Sequence, residues 1–436
     1  MKKEKEEMDD DNNSNVDDDD NDFYEGSSVL ESQQFNDIER NTMKGDTVGD
    51  TVYSSKWIIN TLISLSKICE DGWSNELEES LCILWDMTGE KDIVKFLLEN
   101  DFLKMSEFTL KVSEEPRLTE IILGILGNMC CDKQVLEALE NNTELTSLIF
   151  NLLHSEDSET LVQLIRILQA SAWCIQQNSN SIWLTKLKDC EFLGESLIFI
   201  LNSSMKDNLL MAVLDFIATF ALLESNALKD LFIIDHLTPA LLESLTQIMQ
   251  GSNESHSTLK LKSIDNWLSI ITKITKMELL HFSDDENDEN FRKLTEIMWK
   301  ILRPFTQSFN LIPLDEQIFH CIQRTVDIVL ICQKNEFHFG SEVILVILQI
   351  MSVLYSAMEN FQSEIEKDPE NALKVLLNYL VNYWIEILGI LEIEELSTVL
   401  RLCDKETVNN LMKTTNVKTS KDKIHKLQEI LSCLSL

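Results

Sequence analysis

Apolar side chains recur along most of the chain at spacings of three and four residues, the pattern of a helix with one buried face. The first such stretch begins near Thr51, where Ser54 or Ser55 can cap a helix that Gly72 ends. Its apolar face consists of Trp57, Ile58, Leu62, Leu65 and Ile68. No stretch alternates between apolar and polar residues for long enough to build a sheet. The pattern therefore predicts an all-helical protein.

The predicted helices repeat along the chain. The helix that starts with Pro116, a residue tolerated in a first turn, contains Ile125, and the third helix after it contains Ile167. These two isoleucines lie 42 residues apart, which fits the roughly 40 to 47 residues of armadillo and HEAT units. The next equivalent residue, Phe216, follows 49 residues later, so the period drifts. The spacing predicts an armadillo/HEAT-like helical solenoid.

The same periodicity continues to the C-terminal end. After the first helix, we predict helices at 76–87, 90–100, 115–131, 133–140, 144–154, 159–176, 238–250, 259–276, 291–302, 314–332, 341–361 and 369–391. Pro239 is expected in the first turn of its helix. The acidic stretch 283–290 interrupts the pattern and is expected to be a solvated loop.

Composition supports this fold class. The chain is 44% hydrophobic but has only 11 Gly and 5 Pro, and tight turns and phosphate-binding loops need those residues. An enzyme built around a glycine-rich ligand loop is therefore disfavoured. The longest apolar run, Val343 to Met358, is interrupted by polar residues and is shorter than the ~18 to 20 residues of a membrane span. We expect it to be a buried helix, with no membrane partner.

The charge is strongly negative and unevenly distributed. The whole chain carries −37, from 74 acidic and 37 basic residues, so it should repel nucleic acid, and direct binding to nucleic acid is not expected. Residues 1–50 are especially acidic and poor in apolar residues, which predicts a disordered tail. A solenoid is then expected over 51–412, followed by a mildly basic segment, 413–436, that ends in a short helix.

The sequence shows no pattern of catalytic or metal-binding chemistry. The ten cysteines are scattered through apolar stretches, which fits reduced thiols inside the cell, and the opening MKKEKEEMDDD has no apolar segment after it. No CxxC, HxxxH or HExxH spacing occurs. Neither a nucleophile beside a base nor a phosphate-binding loop is evident. We therefore expect no metal, no cofactor and no enzymatic activity.

Three segments resemble the serum amyloid A-like (Saal) protein family in residues, order and spacing. They are Thr51-Val-Tyr-Ser-Ser-Lys-Trp57, Leu81-Cys-Ile-Leu-Trp-Asp-Met87 and Pro116-Arg-Leu-Thr-Glu-Ile-Ile-Leu-Gly-Ile-Leu-Gly-Asn-Met129. The resemblance covers roughly residues 47 to 135. It implies an armadillo-like fold, no known enzymatic activity, and a nuclear protein associated with promoting cell proliferation. The cytoplasm is the second location that we consider. The chain itself has no dense basic cluster for nuclear import, and its best candidate is the sparse stretch Lys418 to Lys426.

A polar stripe on the predicted third helices is the candidate partner-binding groove. On the first of these helices, Arg117, Gly124 and Asn128 are spaced to lie on one face. Shifting by 42 and then 49 residues carries the stripe onto the next two helices. The candidate groove residues are Arg117, Asn128, Glu159, Gln163, Arg166 and Asp215. The plainer interpretation is that any amphipathic helix has a solvated polar face.

Other residues on these helices have structural interpretations. Trp57, Trp85 and Trp173 lie among apolar residues and are expected in the core. Gly124 and Gly127 weaken a helix, so close approach of a neighbouring helix is expected at both. Nuclear-import armadillo receptors have Trp four residues before the Asn, where this chain has Gly124, so an import receptor is disfavoured.

Two hypotheses about function follow. The first is a non-catalytic scaffold that binds a protein partner along the groove. The alternative is an acidic chaperone-like binder of basic clients such as histones or ribosomal proteins, suggested by the acidic runs at 17–20 and 284–289. The second should lose its clients at high salt, because its binding is electrostatic.

Overall fold

The computed structural model describes residues 46–178, 181–223, 226–250, 257–280, 282, 288–360, 371–418 and 421–434. Over these ranges the chain forms 23 α-helices and two short 3-10 turns, and it has no β-strand there beyond one isolated bridge between Thr47 and Ser54. The prediction of an all-helical fold is confirmed.

The helices have the following bounds. In the first half they are α1 (Ser55–Ser66), α2 (Ile68–Asp71), α3 (Asn75–Met87), α4 (Lys91–Glu99), α5 (Phe102–Val112), α6 (Pro116–Met129), α7 (Lys133–Asn141), α8 (Thr143–Asn151), α9 (Ser158–Gln177), α10 (Trp183–Asp189), α11 (Leu193–Ser203) and α12 (Asp207–Ala221). In the second half they are α13 (Ala227–Leu231), α14 (Ile234–Ile248), α15 (Thr258–Lys276), α16 (Glu289–Leu302), α17 (Ser308–Leu311), α18 (Glu316–Lys334), α19 (Ser341–Asn360), α20 (Ala372–Ile390), α21 (Ile393–Leu402), α22 (Lys405–Lys418) and α23 (Lys421–Leu434).

The long helices stack in two parallel rows. One row, which we call the ladder helices, is α3, α6, α9, α12, α15, α18 and α20, and each member packs on the next. The other row, the outer helices, is α1, α5, α8, α11, α14, α16 and α19, packed in the same sequential way, with a 3-10 turn at Leu152–His154 bridging α8 and α11. Elements that contact mainly their neighbours in sequence define a solenoid, so the predicted architecture is confirmed.

A single apolar core runs between the two rows. It extends without a break from Val48 to Leu431, and its largest fully buried side chains include Trp183, Trp267 and Trp384. Because neighbouring repeats share this core, an isolated repeat would leave its apolar face exposed to water. Two helices, α19 and α20, are long and apolar enough to cross a membrane, judged by length and composition alone. Their place in the core explains this apolar composition. Both pack against neighbouring helices. For example, α19 contacts α16, α20, α21 and α22.

Capping residues explain where several helices begin. Ser54, not Ser55, caps α1 by accepting a hydrogen bond from the Trp57 N–H at 3.2 Å. Pro116 is the first residue of α6, as predicted. Pro239 is not in a first turn, because α14 begins at Ile234 and places the proline inside the helix. That prediction was wrong, since the apolar pattern before the proline already belongs to the helix.

The predicted segment boundaries fall at particular places in the structure. Residues 1–45 of the predicted tail lie outside the described residues, whereas Asp46 accepts hydrogen bonds from Ser54 and from the Lys56 N–H at the start of α1. Residues 283–287 of the predicted acidic loop are likewise outside, and Asp288 caps α16. Position 413, the predicted start of the C-terminal segment, lies within α22.

Candidate functional site: a polar ladder across the stacked helices

Polar side chains connect every neighbouring pair of ladder helices. The contacting residues are separated by 38 to 59 positions in sequence, which is about the length of one repeat. We call these contacts the polar ladder. It contains several of the residues that the sequence singled out, together with others that it missed.

Arg117 forms the first contact, between α6 and α3. Its Nε donates to Glu78 Oε1 at 2.9 Å, and its Nη1 donates to Glu120 Oε2 at 2.8 Å. The hydrogen bonds that Arg117 donates to Glu120 and Glu78 raise the pKa of its guanidinium further above its usual range. The Cys82 sulfur lies 3.4 Å from Nη2. This guanidinium is therefore neutralised within the protein.

Trp85 and Gly124 bring two of the Saal-like segments together. A Cβ atom at Gly124 would lie 2.0 Å from Trp85 Cζ2, so the indole packs directly on the α6 backbone. Close approach at Gly124 is confirmed. At Gly127 the nearest atom, Arg166 Cβ, would be 3.8 Å away, an ordinary contact distance. A neighbouring helix does come into contact there, since the Gln163 carbonyl oxygen would lie 3.9 Å from this Cβ atom, but the spacing leaves room for a methyl group and does not require glycine.

Asn128, Gln163 and Arg166 form one cluster between α6 and α9. Asn128 Nδ2 donates to Thr88 Oγ1 at 2.9 Å and to the Trp85 carbonyl at 3.3 Å. Arg166 Nη2 donates to Asn128 Oδ1 at 2.6 Å, and Arg166 Nη1 donates to Gln163 Oε1 at 2.6 Å. The Asn128 amide is thus bonded on both sides within the chain, in contrast to the free amide that binds a peptide backbone.

The next contacts lie between α9, α12 and α15. Gln169 Nε2 donates to Thr219 Oγ1 at 2.7 Å in a buried position. Asp215 accepts from Asn266 Nδ2 at 3.1 Å and pairs with Lys262 Nζ at 3.1 Å. Asp215 is therefore brought into the ladder. It does not meet the Asn128 cluster, because it contacts the helix on the other side of α12.

The last contacts lie between α15, α18 and α20. Arg324 Nη1 donates to Asp265 Oδ1 at 2.7 Å, and Tyr379 donates its hydroxyl proton to Asp327. Burial raises the pKa of the Asp265 carboxyl, while Arg324 opposes the change. Sequence analysis missed these residues because their partners lie 52 and 59 positions apart, well beyond the 42-residue period.

Glu159 is the one predicted groove residue outside these contacts. It lies in the first turn of α9 and is half-buried. No hydrogen bond or ion pair involves its carboxylate within the described part of the chain. Its position beside Asp157, which caps α9 through the Thr160 N–H at 2.8 Å, places it near the positive end of the helix dipole.

Two large apolar side chains are exposed at the C-terminal ends of ladder helices. Trp173 on α9 is 51% exposed, and Leu222 at the end of α12 is 68% exposed. The core prediction for Trp173 was therefore wrong, whereas Trp57 and Trp85 are partly buried and pack against the core. Trp173 lies seven residues after Arg166, which is about two helical turns, so it is on the same face as the polar stripe. Its apolar neighbours in sequence point to the core instead.

Several cysteines of the described residues have buried thiols. No group of three or more potential metal ligands occurs in the described ranges. Burial raises the pKa of the Cys332 thiol to about 12 and that of the Cys403 thiol to about 12. A thiol of this kind is uncharged at neutral pH and is a poor nucleophile and a poor metal ligand.

Comparison with curated proteins finds Saal1 relatives. The chain is 34% identical over 186 residues to Protein saal1 of Danio rerio and 30% identical over 184 residues to Protein SAAL1 of Homo sapiens. Each alignment covers 39% of this chain and 38% of the relative, so the chain spans about two fifths of the relatives' length. No family model matches the chain.

Comparison with solved structures finds helical repeat proteins. A designed armadillo repeat protein is 15% identical, with a TM-score of 0.42, over 61% of this chain and 99% of its own. The SYS-1/POP-1 complex is 13% identical, with a TM-score of 0.48, over 86% of this chain and 63% of its own. Because these scores are low, the solenoid assignment rests on the helix packing described above. In its sequence the chain is thus Saal1-like over about two fifths of its length, and in its fold it is an armadillo-like helical solenoid.

Proposed function

We propose that this protein is a non-catalytic scaffold that holds a segment of a partner protein against its ladder helices. The polar ladder is the observation that carries the proposal. Each contact fixes one helix against the next, so side chains on this face have defined positions before a partner arrives. Binding to a preordered surface costs less conformational entropy than binding to a mobile one.

The dimensions of the ladder suit an extended segment. Seven helices packed about 8 to 10 Å apart present a surface on the order of 50 Å long. An extended chain advances about 3.3 Å per residue, so roughly 15 residues would follow the whole row. The mixed charges on this face, including Arg166, Lys262 and Asp215, allow specific polar contacts with such a segment.

Affinity purification from nuclear extract, followed by mass spectrometry, tests the scaffold. Two charge reversals on the ladder face, Arg166→Glu and Lys262→Glu, should each be compared with Lys95→Glu on α4, an exposed lysine away from the ladder. Loss of the same partner with a ladder variant, but not with Lys95→Glu, is the expected result. Equal recovery with all the folded variants would show that partners bind elsewhere.

We also propose nuclear residence and a role in cell proliferation, and these rest on the Saal resemblance. The sparse basic stretch near the C-terminus does not add support. Lys423 Nζ donates to the Ile385 carbonyl at 2.6 Å, and Lys426 Nζ donates to the Leu391 carbonyl at 2.8 Å, so both lysines are bonded to backbone carbonyls near the end of α20. Fractionation of cells expressing the tagged chain tests the location, and recovery in the cytosol alone would contradict it.

Binding of basic clients is the second candidate, favoured by the net charge of −37. Purified histones are a suitable probe. If this candidate holds, retention of histones on the immobilised protein should fall steeply between low salt and 0.5 M salt, because ions screen the attraction. A partner that stays bound at 0.5 M salt would favour the ladder-face scaffold instead.

A further inference from the structure

Arg166 differs from the other basic residues of the polar ladder in its partners. Arg117, Lys262 and Arg324 each pair with a carboxylate from a neighbouring ladder helix. Arg166 donates instead to two amide oxygens, those of Gln163 and Asn128. Within the described ranges no carboxylate lies within 4.0 Å of its guanidinium. In a chain with twice as many acidic as basic residues, an exposed arginine without an acidic partner is informative.

The two amides also fix the direction of the guanidinium. Arg166 uses one N–H from each terminal nitrogen, and both bonds are 2.6 Å long. A guanidinium has five N–H donors, so three remain for a ligand. The positive charge is therefore held in place without being neutralised, and a carboxylate is the group that such a fork binds best in a protein.

Exposed apolar side chains follow at the C-terminal ends of α9 and α12. Trp173 is seven residues, or about two turns, beyond Arg166, which places it about 10 Å along α9. Leu222 is seven residues beyond Asp215 on α12, the ladder helix next to α9, and occupies the corresponding position. Trp173 is 51% exposed and Leu222 is 68% exposed, so a ligand that covered them would remove apolar surface from water.

We propose that Arg166, Trp173 and Leu222 form a docking surface for an acidic–apolar segment of a partner protein. The partner's Asp or Glu pairs with Arg166, and a Leu, Phe or Trp about three residues away packs on Trp173, since three extended residues span about 10 Å. Leu222 borders the same apolar contact. This inference rests on the proposed function and names the kind of partner that the ladder accepts.

Charge favours this occupant over a basic one or a nucleic acid. A basic side chain would be repelled by the guanidinium of Arg166. A nucleic acid would meet the net charge of −37 along its whole phosphate backbone, whereas a short segment with one carboxylate places its charge only at the cation. The apolar pair adds contacts that a nucleic-acid backbone does not use.

Peptide selection with the full-length protein tests the proposal. Random 12-residue peptides displayed on phage should be enriched for Asp or Glu about three residues from Leu, Phe or Trp. A fluorescein-labelled copy of an enriched peptide is then titrated and followed by anisotropy. Arg166→Glu, Arg166→Gln and Trp173→Ser should each weaken binding at least tenfold, while Lys104→Glu, on an exposed outer helix, should change it less than twofold.

Several results would overturn the proposal. They are enrichment of basic peptides, failure to enrich any peptide, or binding by the Arg166 and Trp173 variants that is as tight as binding by the unchanged protein. Tighter peptide binding after residues 17–20 are changed to Asn would show that the chain's own acidic segment occupies the surface instead of a partner. If cellular partners are lost with Lys262→Glu but not with Arg166→Glu, the scaffold survives and only this inference fails.

Discussion

At the scale of single residues, two glycines on α6 occupy different surroundings. Gly124 lies under the Trp85 indole, whereas a methyl group at Gly127 would make ordinary contacts with its neighbours. Sequence alone identifies both as unusual in a helix, because glycine lowers helix stability. It cannot separate them, because the indole that covers Gly124 comes from another helix 39 residues earlier.

Alanine at each glycine should therefore have opposite effects. Gly124→Ala should lower the free energy of unfolding by about 1 to 3 kcal/mol, because the new methyl group overlaps the indole. Gly127→Ala should raise it by about 0.5 to 1 kcal/mol, because alanine favours the helix. Urea denaturation of the two variants beside the unchanged protein measures both values. Equal destabilisation by both changes would contradict the Trp85–Gly124 contact.

Buried thiols should make the fold sensitive to alkali. The unfolded Cys332 thiol ionises near pH 9.0, whereas burial raises the pKa of the folded thiol to about 12. Between these values the unfolded state loses a proton that the folded state keeps. The stabilisation is complete below pH 9 and falls by about 1.4 kcal/mol per pH unit for each such thiol.

Cys332→Ala isolates this effect. At pH 8 the variant should be less stable than the unchanged protein, because a buried group is lost. From pH 9 to 11 the stability difference should shrink, since only the unchanged protein carries the ionising thiol. Urea midpoints at each pH measure the difference. Parallel stability curves across that range would show that Cys332 is not protected by burial.

At the scale of the elements, helix type was predictable and helix boundaries were less so. The 3.6-residue pattern identified most long helices, and Pro116 fixed the start of α6. Pro239 misled the prediction because a proline can also lie inside a helix when neighbouring contacts compensate. The short helix α5 (Phe102–Val112) was missed because its alternating apolar and polar residues follow directly on those of α4.

Contacts between elements were the hardest to foresee. The stripe correctly placed Asn128 and Arg166 on facing helices, but their mutual bond depends on a 38-residue offset that differs from the 42-residue period. The difference of about four residues between this offset and the period moves the bonding partner along its helix by about one turn. This is why the sequence identified half of the polar ladder and not its later contacts at Asp265, Arg324 and Tyr379.

A double-mutant cycle tests the contact between α6 and α9. Asn128→Ala and Arg166→Ala should show a coupling of about 0.5 to 1.5 kcal/mol in the free energy of unfolding, because they share one hydrogen bond at a partly exposed site. Arg117→Ala combined with Arg166→Ala is the matched control and should be additive, since Arg117 pairs with Glu78 and Glu120. Additivity in both cycles would remove this contact from the account.

At the scale of the whole molecule, the proposed function assigns partner binding to the ladder helices and support of that face to the outer helices. Both rows bury the apolar core, and the ladder helices carry the polar ladder together with the exposed side chains of Trp173 and Leu222. Charge acts over the same scale, because a net charge of −37 makes each exposed cation on the ladder distinctive. The fold follows from periodicity, whereas the proposed binding face depends on side-chain partners that only the structure reveals.

Hydrogen exchange of the full-length protein, with and without a partner recovered by affinity purification, tests the binding face most directly. The account predicts slower exchange in α6, α9 and α12, with the outer helices α5, α8 and α11 unchanged. Slower exchange confined to the outer helices would contradict the assignment of the ladder as the partner-binding surface.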